Sequence, residues 1–378
     1  MNKRNRKPVR RGLAIFFWLI VLIALGPSLI NLPRALIACK VWEKVEEPES
    51  TLDDAAMRDA IAKIPDYYRP ESKTYLTLPE WYIVYSTDEY AAFLQKNSSS
   101  NFPYFKAVGQ YWQSYVDVCH EIKGRYPFNG DSQFTDAFIG ISFTAENMLK
   151  GAYEGTIGRV TDWVSSDKPT EEEVYAAQVA QEYGEFLHTT PWYFFPFKEK
   201  LQGVWQIDLW GQDPIRKWER KIALTIEYGG KILYAGLTNL GAQATYGGAD
   251  VEKIYAVTSG ITKDMLNDNL ELTEQIDDQR QLIYITRFEY FSDTVPGLLK
   301  RGVRFIEIAG NDEILFTLIG SQDADYSFKH GTYLFDLPIL TQEGLTRVAV
   351  KVPVADMASF LDELKGKKNI KFEHMYDY

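Results

Sequence analysis

Residues 13–32 read LAIFFWLIVLIALGPSLINL, twenty positions without a charged side chain. Twenty residues of α-helix rise about 30 Å, the thickness of a bilayer's hydrocarbon core. Lys3, Arg4, Arg6, Lys7, Arg10 and Arg11 precede the run with no acid among them. Arg34, Lys40 and Lys44 follow it and are soon mixed with Glu43, Glu46, Glu47 and Glu49. This lysine and arginine bias predicts a cytoplasmic N-terminus and a body across the inner (plasma) membrane, periplasmic or extracellular. A cleaved signal peptide has an apolar run of roughly 7–15 residues and then a small-x-small site. Here the run is longer and Pro33-Arg34 follow it, which points to an uncleaved signal-anchor. Leu36-Ile37-Ala38-Cys39 also has the lipobox form, so Cys39 is a candidate for lipidation, although Arg34 separates it from the apolar run.

The chain as a whole has an ordinary globular composition, 46% hydrophobic and 25% charged, which argues against disorder. Net charge is −11, and setting aside the six positive charges of the leader leaves −17 on residues 13–378. So acidic a body has no basic groove from which to release counterions, and nucleic acid is not an expected partner. Cys39 and Cys119 are too few for a disulfide scaffold and are expected as free thiols, with one bridge the alternative. His120, His188, His330 and His374 include no pair at metal-ligand spacing, so neither a metal nor another cofactor is expected.

Patterning divides the chain. A short helix over 52–64, capped by Thr51 or Asp53, leads into a tyrosine- and proline-rich loop, DYYRPESKTYLTLPEWYIVYSTDEY, in which Pro79-Glu80-Trp81-Tyr82 can begin a helix or an edge strand and Asp88 to Gln95 reads as helix. Helices follow over 104–123 and 132–163. A third covers 171–188, opened by the capping box Thr170/Glu173. The pattern over 215–246 is helical, rich in glycine and uncharged over 232–249; Gly-Gly-Lys and several polar residues make it a poor second span and a better buried or bilayer-surface helix. After Gly260 the runs QLIYITRFEY, GVRFIEIAG, EILFTLIG, GTYLFDLPIL and LTRVAVKVP read as strands, with helices over 295–300 and 355–365. The expected fold is α+β in three parts. Residues 1–39 form the basic leader and transmembrane helix, and 40–260 a mainly α-helical, aromatic-rich domain. Residues 275–378 form a ferredoxin-like α+β sandwich, and no internal repeat at a fixed period is visible.

No GxSxG, HExxH, CxxC, P-loop or helix-opening GxGxxG occurs, which removes the usual support for hydrolase, zincin, thioredoxin-like and nucleotide-binding readings. Dispersed carboxylates remain, a class of enzyme that leaves no short signature. Glu146, Lys150 and Glu154 stand four apart on one helix face, where a solvated ladder of i,i+4 pairs is the plain explanation and an acid–base stripe the functional one. Glu227 and Lys231 have the same spacing within an apolar helix. His188 leads into Trp192 and Tyr193, rings that suit a lipid or sugar pocket, and Glu80-Trp81-Tyr82 pairs a carboxylate with aromatic surface. The expectation is a single-pass membrane-anchored protein whose extracytoplasmic body binds a partner protein or an apolar ligand at the cell envelope. The alternative is a carboxylate-dependent envelope enzyme acting on a glycan or lipid through Glu146, Glu154 or Glu227.

Overall fold

A computed structural model describes residues 6–40, 44–46, 54–166, 168–245 and 253–378. Helix α1 (Arg6–Ala38) contains one stretch, Phe17–Ala38, long and apolar enough to cross a membrane. Among its described side chains none before Val21 is buried. From there on, Ala24, Ser28 and Ala35 are covered, a spacing of one helix face. That face lies against α4 (Tyr104–Ile122) and α5 (Gly130–Tyr153). Where α1 ends, Cys39 and Cys119 are joined in a disulfide with their Cα atoms 4.4 Å apart, so the expected free thiols are not found. Packing brings the ends of α1 and α4 together, and the bridge occupies the sulfur that lipidation of Cys39 would use.

The helical layer continues with α2 (Ala55–Ile61), capped by Asp54, and α3 (Ser72–Leu94). Thr51 and Asp53, the expected caps, lie outside the described residues. Helix α3 replaces the expected loop. Its Tyr75, Leu78, Tyr82 and Tyr85 recur at helical spacing and are all buried, and that burial outweighs Pro79 and the poor local propensity of tyrosine and threonine. Helix α5 runs through a π-helical turn (Glu154–Gly158) into α6 (Arg159–Trp163). Helix α7 (Glu171–Leu187) opens with the expected Thr170/Glu173 capping box. Then come α8 (Phe197–Gln206) and the long α9 (Pro214–Thr245).

The strands form two sheets where one ferredoxin-like sheet was expected. Strands β1 (Lys253–Ser259), β2 (Leu270–Gln275) and β3 (Arg280–Thr286), helix α10 (Glu289–Lys300) and β4 (Arg304–Ile308) make an antiparallel sheet of order β2-β3-β1-β4. Strands β5 (Glu313–Ser321), β6 (Thr332–Pro338) and β7 (Leu345–Pro353), helix α11 (Met357–Lys365) and β8 (Ile370–Tyr376) repeat the same order, β6-β7-β5-β8. The chain thus carries one β-β-β-α-β topology twice, a repeat invisible as a sequence period. The acidic stretch between the two textures of the sequence contains β2.

Both sheets and both of their helices share one core. Alternation along β5 sends Ile314, Phe316 and Leu318 into it, while Leu315 faces the helical layer. On that second face Thr74 of α3 bridges two strands: its Oγ1 donates to the Tyr376 carbonyl at 2.6 Å and accepts from the Leu315 amide at 3.1 Å. The first sheet turns Val257 and Leu282 toward Met57 and Ile61 of α2. Helices thus cover the outer faces of both sheets.

Candidate ligand site

Charges on α5 and α9 meet across the seam between the helices instead of pairing along each helix. Glu146 lies 2.9 Å from Lys231, Lys150 2.9 Å from Glu227, and Glu154 2.7 Å from Arg220. Partners ascend on one helix as they descend on the other, so the two run antiparallel. The step on α9 is four residues from Lys231 to Glu227 and seven from Glu227 to Arg220, where the π-helical turn begins. Ser142 and Tyr234 continue the ladder with hydroxyls 2.6 Å apart.

The end of the ladder at the π-helical turn is sealed from water. Arg216, Lys217, Glu219, Arg220 and Lys221, all from the run IRKWERK, are buried. Arg216 reaches Glu173 at 2.7 Å and donates to the Gly158 carbonyl at 2.9 Å, while Arg220 also holds Glu219 and the Ser99 hydroxyl. Lys221 donates to the Val204 carbonyl at 2.8 Å and faces Glu172 at 3.2 Å. Gly158 is required here, because a Cβ would stand 2.3 Å from a Glu154 carboxylate oxygen. Such pairs are worth keeping together mainly because separating them strands a charge in low dielectric.

Beside the ladder, α3, α4, α5, α7 and α9 surround a partly open cavity of about 100 Å³. At about 30 Å³ per molecule it has room for roughly three waters or one small ligand. Tyr90, Tyr104, Tyr183 and Tyr228 line it together with Lys150, Glu227 and Lys231. Lys150 stands 4.4 Å over the Tyr90 ring and Lys231 4.6 Å over Tyr183, so each ammonium faces both an aromatic surface and a carboxylate. Glu146 and Glu227, two of the carboxylates singled out in the sequence, converge here, each beside a lysine. Against burial, the charges of Lys150 and Lys231 hold the Glu227 carboxyl below the ordinary carboxylate range. Glu154 sits in the sealed cluster.

The other candidates disperse. Trp81 and His188 meet, ring centroids 5.8 Å apart, between the helical layer and the sheets. His188 Nε2 is 2.8 Å from Asp88 and its Nδ1 3.2 Å from Glu289, and the His374 ring lies 3.8 Å from that of Trp81 at a tilt of 38°. Hydrogen bonds from Asp88 and then Glu289 push the His188 pKa up to about 10 against the opposing effect of burial. Tyr82 is core, its hydroxyl donating to the Ala107 carbonyl at 3.1 Å. Burial, opposed by the positive charges of Arg287 and Lys73, raises the Glu80 pKa to about 7. Trp192 stacks 4.8 Å from Tyr234, away from His188, and Tyr193 lies beside Phe194. Among the described residues no three His, Cys, Asp or Glu side chains gather to hold a metal ion.

Compared with models of known families, with curated proteins and with solved structures, the chain matches none. The site therefore rests on geometry alone. The sequence pointed to Glu146, Glu227 and the lysines between them. Of the tyrosines that complete the cavity, Tyr228 is on α9 and the other three come from α3, α4 and α7; the one signal for them is the excess of tyrosine.

Proposed function

We propose that this protein is membrane-anchored through α1, with its body on the extracytoplasmic side, and that the body binds a small ligand in the cavity between α5 and α9. The basic leader supports that orientation, and so does the Cys39–Cys119 bridge just past the apolar helix, since such bridges persist in oxidising compartments. The observation that carries the binding reading is the convergence of Lys150, Glu227 and Lys231 on a partly open space walled by tyrosines. The apolar ligand expected from the sequence becomes one with an aromatic or aliphatic body and an acceptor oxygen for Lys150 or Lys231.

Benzoate has that chemistry, and the open side of the cavity leaves room for the part of its ring that the roughly 100 Å³ does not hold. Saturation-transfer NMR on the full chain in detergent should show contact with benzoate, and Ala180→Trp, which fills the cavity from α7, should abolish it. Equal transfer to both chains, or none to the wild type, would reject the reading. The second reading, a carboxylate enzyme on a glycan or lipid, draws on Glu146 and Glu227 sharing one aromatic cavity. The lysines beside Glu227 weigh against it, because they favour its ionised form and leave it no proton to give up.

A further inference from the structure

Helix α9 is amphipathic in the inverted sense. Its charged side chains from Arg216 to Lys231 all turn inward to partners on neighbouring helices, and over 214–238, where its side chains are described, every exposed position is apolar. Those positions include Ile215, Ile222, Ile226, Leu233 and Leu237, with Ile226 67% and Leu233 75% exposed. A water-facing helix has the opposite arrangement. Helix α7, on the far side of the ladder, shows the ordinary one and exposes Glu171, Gln178, Gln181, Glu182 and Glu185.

Helix α5 lies between α9 and α1. It packs along α1 and meets Tyr234 of α9 through Phe138 and Ser142. Its own exposed residues include Phe134, Phe138 and Leu149, and farther on Ile157, Val160 and Trp163. Of the exposed charges beyond its first turn, Glu146 is held by Lys231 and Arg159 donates to the Ser100 carbonyl at 3.3 Å. The apolar surface of α1 therefore continues onto α5 and α9. From Ile215 to Leu237 the α9 stripe runs about 33 Å, close to the thickness of a hydrocarbon core. Exposed Trp163 and Trp210 stand near its start, and exposed Phe194, in the turn that packs on α9, stands toward its other end.

We infer that the outer faces of α5 and α9 contact lipid, so that the body is seated in the bilayer by three helices and not tethered by α1 alone. The occupant is lipid because the surface is continuous with α1, which among the described residues is the helix long and apolar enough to span, and because α9 directs no charge outward over that length. The buried ion pairs are then the consequence: a helix that offers its apolar side to lipid must satisfy its charges within the protein. The inference rests on the membrane placement proposed above.

The test uses the full chain in phosphatidylcholine–phosphatidylglycerol nanodiscs, with single cysteines introduced as Phe138→Cys, Ile226→Cys or Leu233→Cys and labelled with NBD. Ile30→Cys reports α1, and Gln181→Cys reports the polar side. Doxyl-labelled lipid should quench the Phe138, Ile226 and Leu233 sites at least twofold more than the Gln181 site, with iodide showing the reverse. Quenching at Ile30 alone would overturn this inference and spare the membrane placement, whereas an unquenched Ile30 would overturn both. Shielding from both quenchers, with a disulfide forming between two Ile226→Cys chains, would make the face a self-association surface and reject lipid. Three independent sites keep the test decisive if one substitution disturbs folding, which circular dichroism reports.

Discussion

His188, the residue that ends α7, places its Nδ1 3.2 Å from the Glu289 carboxylate in the first turn of α10, tying the helical layer to the first sheet unit. Its other nitrogen faces Asp88 at 2.8 Å, so both ring nitrogens meet acceptors and the imidazolium is the form the site favours.

The consequence is a pH dependence of known sign. The folded pKa of His188, about 10, lies above the ordinary 6.5. Its contribution is therefore complete below about pH 6.5 and is lost as the pH rises toward 10. His188→Gln should lower stability by about 1.5–3 kcal/mol at pH 6, the range for hydrogen bonds to charged groups, and by less at pH 10. Denaturant titrations of both chains at several pH values check this. A difference that stays constant from pH 6 to pH 10 would mean that the ring serves only as packing.

Arg220 stands between Glu154 and Glu219 with nearly all of its side chain buried. Arg220→Met keeps the length and removes the charge, leaving two carboxylates to share what Arg216 can offer. Loss of one partner from a buried ion pair costs about 3–5 kcal/mol. The double change Arg220→Met with Glu154→Gln should recover part of that loss, because one uncompensated charge goes with it. Chemical denaturation of the two chains measures the difference, and additive losses would show that the pair is not coupled.

Local patterns were legible in the sequence and their partners were not. The β-branched runs from QLIYITRFEY onward were read as strands, and the Thr170/Glu173 box placed the start of α7. Whether those strands form one sheet or two depends on pairings between distant residues, such as Val257 with Leu282, which no local pattern encodes. The segment holding Tyr75, Tyr82 and Pro79 reads as a loop by propensity and folds as α3 because its rings are buried. At the site, the spacing of Glu146, Lys150 and Glu154 announced a helix face. The same spacing serves a solvated ladder and a ladder across two helices, and only tertiary packing chose the second.

Gly140 shows why α5 carries glycine. A Cβ there would stand 2.5 Å from the Tyr111 ring and 3.0 Å from that of Trp112, both buried on α4. Gly155, fifteen residues on, has open space around its Cβ position. Gly140→Ala should therefore destabilise by about 1–3 kcal/mol through overpacking. Gly155→Ala should be neutral or stabilise by up to about 1 kcal/mol through helix propensity. Thermal melts of the two variants compare them directly, and equal shifts would mean that α4 and α5 do not approach as closely as described.

The disulfide joins positions 80 residues apart and fastens the end of α1 to the end of α4. Closing so long a loop restrains the unfolded chain, and natural bridges contribute about 2–4 kcal/mol. Cys39→Ala with Cys119→Ala should lower stability by that amount. In cells, a maleimide–polyethylene glycol reagent should shift the wild-type band only after reduction, because an oxidised pair offers no thiol. Full labelling without reductant would place both cysteines in a reducing compartment and remove one of the two supports for an extracytoplasmic body. The bridge also ties the last turn of α1 to the body, beside the packing of α1 on α4 and α5. The double variant should therefore increase the exposure of an Ile30→Cys reporter to water-soluble quencher if the covered face of α1 depends on that fastening, and leave it unchanged if packing of Ala24, Ser28 and Ala35 suffices.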